Sequence, residues 1–247
     1  MVLKKSGART AAEFLAVVIL LIAAMMLITS LFNGKGEKTD PVGADDEIVV
    51  IVDAGHGGMD GGAVGADGTQ EKHINLAVAE ILSDLLTVSG YKTVMTRTED
   101  VMLTTEDGAG SAKMQDLKQR LNISSKYPDA LTVSVHCNKF PLESCRGMQV
   151  YYSDSDAARQ TAERIQSASR LLQTYNKREI KKADSSIYLL HRAKYPGVLV
   201  ECGFLSNAEE LQALKTEEYQ KQLALVILKG INESYGARSE ASLGGKA

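Results

Sequence analysis

Residues 47–58, EIVVIVDAGHGG, decide the fold of this chain. The segment opens with a run of mostly β-branched apolar residues, 48–52, which is typical of a strand buried on both faces of a parallel sheet. Asp53 and the glycines that follow end the strand in a tight turn. Because open α/β sheets bind their ligands at the carboxyl ends of the strands, the turn presents His56 where a site is expected. We therefore interpret His56 as a candidate metal ligand.

Strand and helix patterns alternate along the chain from this segment onward. Helical periodicity covers residues 71–90, 111–127, 157–173, 208–215 and 218–235. Strand-like runs cover residues 91–97, 130–138, 148–153, 187–193 and 197–207, and a basic polar loop covers 176–184. This alternation predicts an α/β fold: a single three-layer domain over residues 47–235, with a mostly parallel sheet flanked by helices.

Composition limits the classes of protein to which the chain can belong. The 247 residues carry a net charge of −3, and this mild acidity without a basic face argues against nucleic acid as a partner. The three cysteines, Cys137, Cys145 and Cys202, are odd in number and show no Cys-x-x-Cys spacing, so they indicate neither a disulfide framework nor a structural zinc ribbon. We expect small buried thiols, although one pair would be able to bridge in an exported protein.

The N-terminal segment predicts a membrane anchor. Lys4, Lys5 and Arg9 precede residues 14–32, which carry no charge. Nineteen residues at a rise of about 1.5 Å span about 28 Å, close to the thickness of a hydrocarbon core. The positive-inside rule then makes residues 1–13 cytoplasmic and places the domain on the exported side, after a flexible tether at 33–46. Residues 236–247 are predicted to be a disordered tail. Cleavage of the segment as a signal peptide is the competing interpretation.

Three predicted strands end in residues that suit a catalytic site: His56, His136 and Glu201. Parallel strands present their carboxyl ends at one edge, and Glu71, at the start of the first helix, lies on the same side. Two histidines and a glutamate form a common ligand set of catalytic zinc, which leaves one coordination position open. The ion lowers the pKa of bound water from about 15.7 toward about 7, and a carboxylate beside it can carry the proton in amide hydrolysis.

Spacing alone leaves the roles of the two glutamates open. A first-turn helical Glu71 after an adaptable glycine-rich loop suits a ligand, and Glu201 on a rigid strand end suits a base, but the preference is weak. His73 and His191 have no matching context and are expected to be ordinary polar residues.

The segments VDAGHGGMDGGAVG, TQEKHINLAVA, SVHCN and PGVLVECGFLSN together resemble the zinc-dependent N-acetylmuramoyl-L-alanine amidases of the amidase-3 class. The resemblance covers most of residues 48–235. It implies hydrolysis of the bond between N-acetylmuramic acid and L-alanine in peptidoglycan. It also implies one zinc ion held by His56, Glu71 and His136, with Glu201 as the catalytic carboxylate. The small residue that the family often carries after the second histidine is Cys137 here.

A minimal catalytic domain behind one anchor is similar to the membrane-anchored spore-cortex amidases, which prepare muramic acid for δ-lactam formation. This similarity implies a part in cortex maturation and germination. Two alternatives remain: a general vegetative wall amidase of the same chemistry, and a catalytically silent wall-binding protein. An accessory protein for zinc loading or substrate access is compatible with either amidase.

Three further residues are candidates for substrate binding. Arg97 ends the second strand, Arg178 lies in the basic loop, and Asn138 follows the second histidine closely. Arginine binds the carboxylates of peptide stems through paired hydrogen bonds, and the alternative for both arginines is solvated surface charge.

A thiol hydrolase that uses Cys137 or Cys202 is the rival chemistry. Neighbours on a strand point to opposite faces, so each cysteine is expected to face away from a site that contains the residue before it.

Overall fold

Among the residues that the structure describes, six strands form one sheet whose centre carries the three predicted site strands. The computed structural model describes residues 48–104 and 110–244, with residues 236–244 described by backbone alone. The strands are β1 (Val49–Ala54), β2 (Lys92–Met95), β3 (Leu131–Asn138), β4 (Gln149–Tyr152), β5 (Lys181–Lys182) and β6 (Gly197–Phe204). Their order is β2-β1-β3-β6-β4-β5. All neighbours are parallel except β4 and β6, which confirms the mostly parallel sheet.

Six helices flank this sheet in the described part of the chain. They are α1 (Glu71–Val88), α2 (Ala112–Ser125), α3 (Asp156–Leu172), α4 (Tyr188–Arg192), α5 (Ala208–Leu214) and α6 (Glu217–Gly244). Serine or asparagine side chains cap the N-termini of three of them, since Ser111, Ser155 and Asn207 each accept a hydrogen bond from the backbone three residues on. Helix α6 packs against α1 and α3.

The two faces of the central strands have different characters. Alternate residues such as Val52, Val135 and Val200 are fully buried and form the main core with α1, α3 and α6. The residues next to them in sequence point the other way, and this second face carries Ser134, His136 and Glu201. The period of two residues therefore separates the apolar core of the domain from the face on which the site is built.

Three segments differ from the sequence-based prediction. Residues 187–193, expected to form a short strand, contain the helix α4, because a brief apolar run does not distinguish a buried strand from a buried helical turn. The expected basic loop contains the two-residue edge strand β5. Helix α6 continues to Gly244, whereas a disordered tail was predicted from residue 236.

The predicted cytoplasmic segment, anchor and tether (residues 1–13, 14–32 and 33–46) lie outside the described residues. None of the helices formed by residues 48–104 and 110–244 combines the length and the apolar character that a membrane crossing requires. The anchor therefore stays a prediction. The described residues all fall within one compact unit.

A buried ion pair lies under the turn that follows β1. Asp53 is 1% exposed, and the guanidinium of Arg120, on α2, donates to its Oδ1 at 2.7 Å. Burial alone would raise the pKa of Asp53, but the Arg120 charge and hydrogen bonds from Ser134 and Thr96 outweigh it and lower the pKa to about 2. Arg120 also pairs with Asp116, one turn earlier on its own helix, at 2.7 Å. The Asp53 carboxylate and the Arg120 guanidinium are thus both paired and hydrogen-bonded.

We expect Arg120→Met to lower the free energy of unfolding by about 3–5 kcal/mol near neutral pH, because it leaves a buried carboxylate without its partner. Urea unfolding followed by circular dichroism measures this loss. Since the pKa of Asp53 is depressed in the folded state, its stabilising contribution is complete above its ordinary value of 3.8 and disappears as the pH falls toward about 2. The penalty of the substitution should therefore shrink on acidification.

Arg159→Met is the matched control, because Arg159 forms partly exposed ion pairs with carboxylates of its own helix. Its expected cost is below about 1 kcal/mol. Equal losses of unfolding free energy in the two variants would contradict the proposed contribution of the buried Asp53–Arg120 pair to stability. A loss in Arg120→Met that is independent of pH would contradict it as well.

Candidate metal centre

Glu71 is the most constrained carboxylate of the site. It is the first residue of α1 and is 3% exposed. Its Oε2 accepts a hydrogen bond from the backbone N–H of Ala63 at 2.7 Å, and its Oε1 accepts from the N–H of Cys137 and from the side chain of Asn75, both at 3.0 Å. Burial would raise the pKa of Glu71, but the adjacent His136 and His56 hold it far below its usual range. Glu71 is therefore a fixed anion.

His56 occupies an unusual backbone conformation in the turn after β1. Its φ angle is 61°, in the left-handed region that residues with a side chain seldom adopt. Arg120 stabilises this turn by donating to the carbonyl of His56 at 2.6 Å and to that of Ala54 at 2.7 Å. The imidazole then reaches back toward α1, where its Nε2 lies 3.3 Å from Oε2 of Glu71.

His136 completes a cluster of three donors. Its Nδ1 lies 2.9 Å from Oε1 of Glu71, and its ring meets that of His56 edge-to-face, with 4.9 Å between the centroids. One donor atom from each of the three side chains falls within 4.8 Å of the others, close enough for a single small cation to contact all three. Two imidazoles and one carboxylate suit zinc by the chemistry of the donors.

Two glycines give these side chains the space that they occupy. A Cβ atom at Gly55 would clash with the ring of His136. A Cβ at Gly62 would lie 2.5 Å from Oε2 of Glu71 and 2.7 Å from Cδ2 of His56. Gly55 and Gly62 of the VDAGHGGMDGG stretch thus allow close packing of the cluster.

Glu201 lies beside this cluster on the neighbouring strand. β6 pairs with β3 so that Glu201 stands directly opposite His136. Its Oε2 is buried, and no residue that the structure describes donates a hydrogen bond to it. Burial raises the pKa of Glu201 to about 7, and the nearby charge of Glu71 adds to this effect. A carboxylate with one buried, unpartnered oxygen beside a donor cluster can take and return a proton near neutral pH.

A cavity of about 240 Å³ lies against these groups. His56, His136 and Glu201 form part of its polar wall, together with Asp60. The lining also includes aliphatic side chains from α2, the segment around α4 and strand β6, namely Leu117, Ile187, Leu189 and Leu199. A cavity lined by both polar and aliphatic side chains suits a substrate that carries an amide and aliphatic groups.

The three predicted substrate residues have different surroundings. Arg97 is 3% exposed, and its guanidinium donates to backbone carbonyls, including those of Ala54, Gly55 and Lys72. Arg97 therefore supports the turn after β1 from within, which argues against its predicted contact with substrate. Arg178 is half-buried and stacks over the ring of Phe204. Asn138 is the last residue of β3, two residues after His136.

The two strand cysteines face away from the site. Cys137 and Cys202 are both buried in the main core, on the face opposite to His136 and Glu201. Burial raises the pKa of both thiols well above the usual range. Neither residue has the exposure or the thiolate character of a nucleophile, so the thiol-hydrolase alternative loses its structural basis.

Several residues that support the site and its turn were not predicted from the sequence. Asp53 was detectable, because it directly follows a buried apolar strand and a buried carboxylate requires a partner. Asp116 and Arg120 have the spacing of a helical ion pair, but that spacing does not reveal the distant partner of Arg120. Asp60 and Asn75 gave no signal, since isolated polar residues in a loop and on a helix are common.

Comparison with known proteins agrees with this geometry. The family model "N-acetylmuramoyl-L-alanine amidase" (Amidase_3) matches residues 50–233. The germination-specific N-acetylmuramoyl-L-alanine amidase of Bacillus subtilis (strain 168) is 36% identical over 186 residues, which cover 74% of this chain and 78% of the relative.

Two solved structures are similar to this chain. The CwlD amidase of Clostridioides difficile, in complex with the GerS lipoprotein, shares 36% identity at a TM-score of 0.74, with 77% of this chain and all of that chain covered. The catalytic domain of CwlV from Bacillus (Paenibacillus) polymyxa var. colistinus shares 30% identity at a TM-score of 0.65, with 76% and 98% covered. The chain belongs to the Amidase_3 family and is an N-acetylmuramoyl-L-alanine amidase that acts on peptidoglycan.

Proposed function

We propose that the chain is a zinc-dependent amidase of spore-cortex peptidoglycan, with His56, Glu71 and His136 as zinc ligands and Glu201 as the catalytic carboxylate. The observation that carries the proposal is that His56, Glu71 and His136 bring their donor atoms together while Glu201 lies opposite His136 on the neighbouring strand and lines the same cavity as the two histidines. The donor set favours zinc, which polarises carbonyls and acidifies water at neutral pH when it is bound.

In the proposed reaction, Glu201 takes a proton from the water that attacks the carbonyl carbon of the lactyl amide. The carbon–nitrogen bond to L-alanine then breaks, and Glu201 returns the proton to the departing amine. A pKa of about 7 suits both transfers, because the ionised and protonated forms are each accessible at neutral pH. Glu71 stays ionised throughout, held by its backbone donors.

The part in cortex maturation and germination is supported by the similarity to the Bacillus subtilis relative, which is a germination-specific amidase. In this role the enzyme removes the peptide stem from muramic acid and leaves a free lactyl carboxyl group for δ-lactam formation. We further propose that residues 14–32 anchor the domain on the exported side of a membrane. An accessory protein is also proposed, because the similar CwlD amidase was solved in complex with the GerS lipoprotein. Arg178 remains a proposed contact for the peptide stem, and Asn138 remains a proposed substrate-binding residue that orients a ligand or the glycan carbonyl.

Glu201→Gln in the full-length protein should retain zinc and lose about 10²–10⁴-fold in turnover, because the carboxamide cannot accept the proton of water. Release of stem peptide from purified muropeptides, followed by chromatography, measures the loss, and metal analysis measures bound zinc. Glu80→Gln, which neutralises an exposed carboxylate on α1, should keep full activity. Turnover above half of the wild-type value in Glu201→Gln would remove Glu201 from its assigned role.

His136→Ala should lose both zinc and activity, because it removes one of three proposed ligands. The matched control is His73→Ala, since His73 is exposed on the same helix as Glu71 but lies outside the donor cluster. The control should bind one zinc ion per chain and turn over like the wild type. Stoichiometric, tightly bound zinc in His136→Ala would contradict the ligand assignment.

Deletion of the gene in its spore-forming host should remove muramic-δ-lactam from the cortex, because the lactam cannot form while the stem occupies the lactyl carboxyl group. Muropeptide analysis of purified spores measures the lactam content, and complementation with Glu201→Gln should fail to restore it. Normal lactam content in the deletion strain would favour the vegetative wall-amidase alternative.

A further inference from the structure

We infer that Asp60 is a positioning residue that fixes the orientation and tautomer of the His56 imidazole and thereby strengthens zinc binding. The inference rests on the proposed function, since it assigns a supporting residue to the proposed zinc site. The residue lies in the glycine-rich turn, outside the cluster of three donors.

The carboxylate of Asp60 faces the nitrogen of His56 that points away from the cluster. Its Oδ2 lies 2.9 Å from Nδ1 of His56, while Nε2 of the same ring lies 3.3 Å from Oε2 of Glu71. An ionised carboxylate only accepts hydrogen bonds, so Nδ1 must carry the proton in this contact. The lone pair of a neutral imidazole then resides on Nε2, the nitrogen that faces Glu71.

The position of Asp60 is itself well determined. Its backbone exchanges hydrogen bonds with Gly57 at 3.0 and 3.1 Å, which closes the turn. Its Oδ1 accepts a hydrogen bond from the N–H of Gly62 at 3.2 Å. Gly57 and Gly62 are both close to Asp60 in sequence. The turn that they form with Asp60 therefore directs its carboxylate back toward His56, which lies four residues earlier in the chain. A histidine ligand with a fixed carboxylate partner loses less freedom when it binds a metal, and its basicity is raised.

The ammonium of Lys113, from α2, also lies near Asp60, but this contact is weaker. Its Nζ is 3.6 Å from Oδ2, and the side chain of Lys113 is 65% exposed. A pair of this kind contributes little in water. The principal partner of the Asp60 carboxylate is therefore the imidazole of His56.

The test measures the affinity of the full-length protein for Zn²⁺ alone, by competition with a chelator of known affinity. Asp60→Ala should bind Zn²⁺ about 10–100-fold more weakly than the wild type, which is the usual effect of removing a carboxylate behind a histidine ligand. Asp60→Asn should bind more tightly than Asp60→Ala, because the carboxamide oxygen can still accept the Nδ1 proton.

Asp100→Ala separates positioning of the imidazole from general ordering of the turn. Asp100 accepts a hydrogen bond from the N–H of Gly58 at 2.8 Å, so it holds the same turn without contacting His56. Its Zn²⁺ affinity should stay within about threefold of the wild type. Equal weakening in Asp100→Ala and Asp60→Ala would overturn the inference, as would an Asp60→Ala affinity within threefold of the wild-type value.

The imidazole can also be observed directly. The chain has four histidines, so proton–nitrogen correlation spectra of the zinc-loaded, histidine-labelled protein are readily assigned. His56 should show an Nδ1 proton with the chemical shift of a strong hydrogen bond, and this shift should be kept in Asp100→Ala and lost in Asp60→Ala, where the proton has no carboxylate acceptor. If Asp60→Ala fails to fold, Asp60→Asn provides the test. The neutral carboxamide is a weaker acceptor than the carboxylate, so the chemical shift of the His56 Nδ1 proton should change. An Nδ1 proton shift identical to that of the wild type would overturn the inference. A wild-type chain that binds no Zn²⁺ would instead refute the zinc site on which the inference depends.

Discussion

The turn after β1 depends on two buried guanidinium groups. Arg97, two residues after β2, and Arg120, on α2, both donate to the carbonyl of Ala54. Arg120 additionally holds the carbonyl of His56 and the carboxylate of Asp53. A backbone that leaves a strand abruptly exposes carbonyls that the sheet can no longer pair, and buried carbonyls without donors are costly. The arginines supply those donors, and the charge of Asp53 helps offset the burial of Arg120. The left-handed conformation of His56 is thereby maintained by its surroundings.

This arrangement explains why the donors converge although they are distant in sequence. The sheet places β1, β3 and β6 side by side, so the carboxyl ends of three neighbouring parallel strands meet at one edge. The register sets His136 opposite Glu201, and the alternation of side chains directs both away from the apolar core. Helix α1 begins at the same edge and introduces Glu71 between the two imidazoles. Packing of the core on one face therefore fixes the geometry of the site on the other.

The arrangement of the site strands could be predicted from the sequence because the same pattern, an apolar run that ends in a polar site residue, occurs three times. Apolar runs that end in His56, His136 and Glu201 implied buried parallel strands, and parallel strands imply a common edge. The same reasoning failed for α4, whose short apolar run fits either element, and for Arg97, whose place at the end of a strand suggested exposure. The direction of a side chain at a strand end depends on which nearby backbone groups still need hydrogen-bond partners. Those groups are known only once the fold has formed, so the sequence does not reveal them. Asp60 and Asn75 went unnoticed for the same reason.

The two glutamates of the site have the same chemistry and opposite environments, and this difference bears on the roles that spacing left open. Glu71 accepts hydrogen bonds from two backbone N–H groups and one amide side chain, which favour its charged form strongly. The Oε2 of Glu201 is buried near an existing negative charge and has no donor among the described residues, so the neutral form of Glu201 is favoured and its pKa rises to about 7. A permanently ionised group suits a ligand, and a group that titrates near neutral pH suits proton transfer. A helix start with backbone donors and a strand end whose carboxylate has a buried oxygen without a donor can therefore separate the two functions without any difference in residue type.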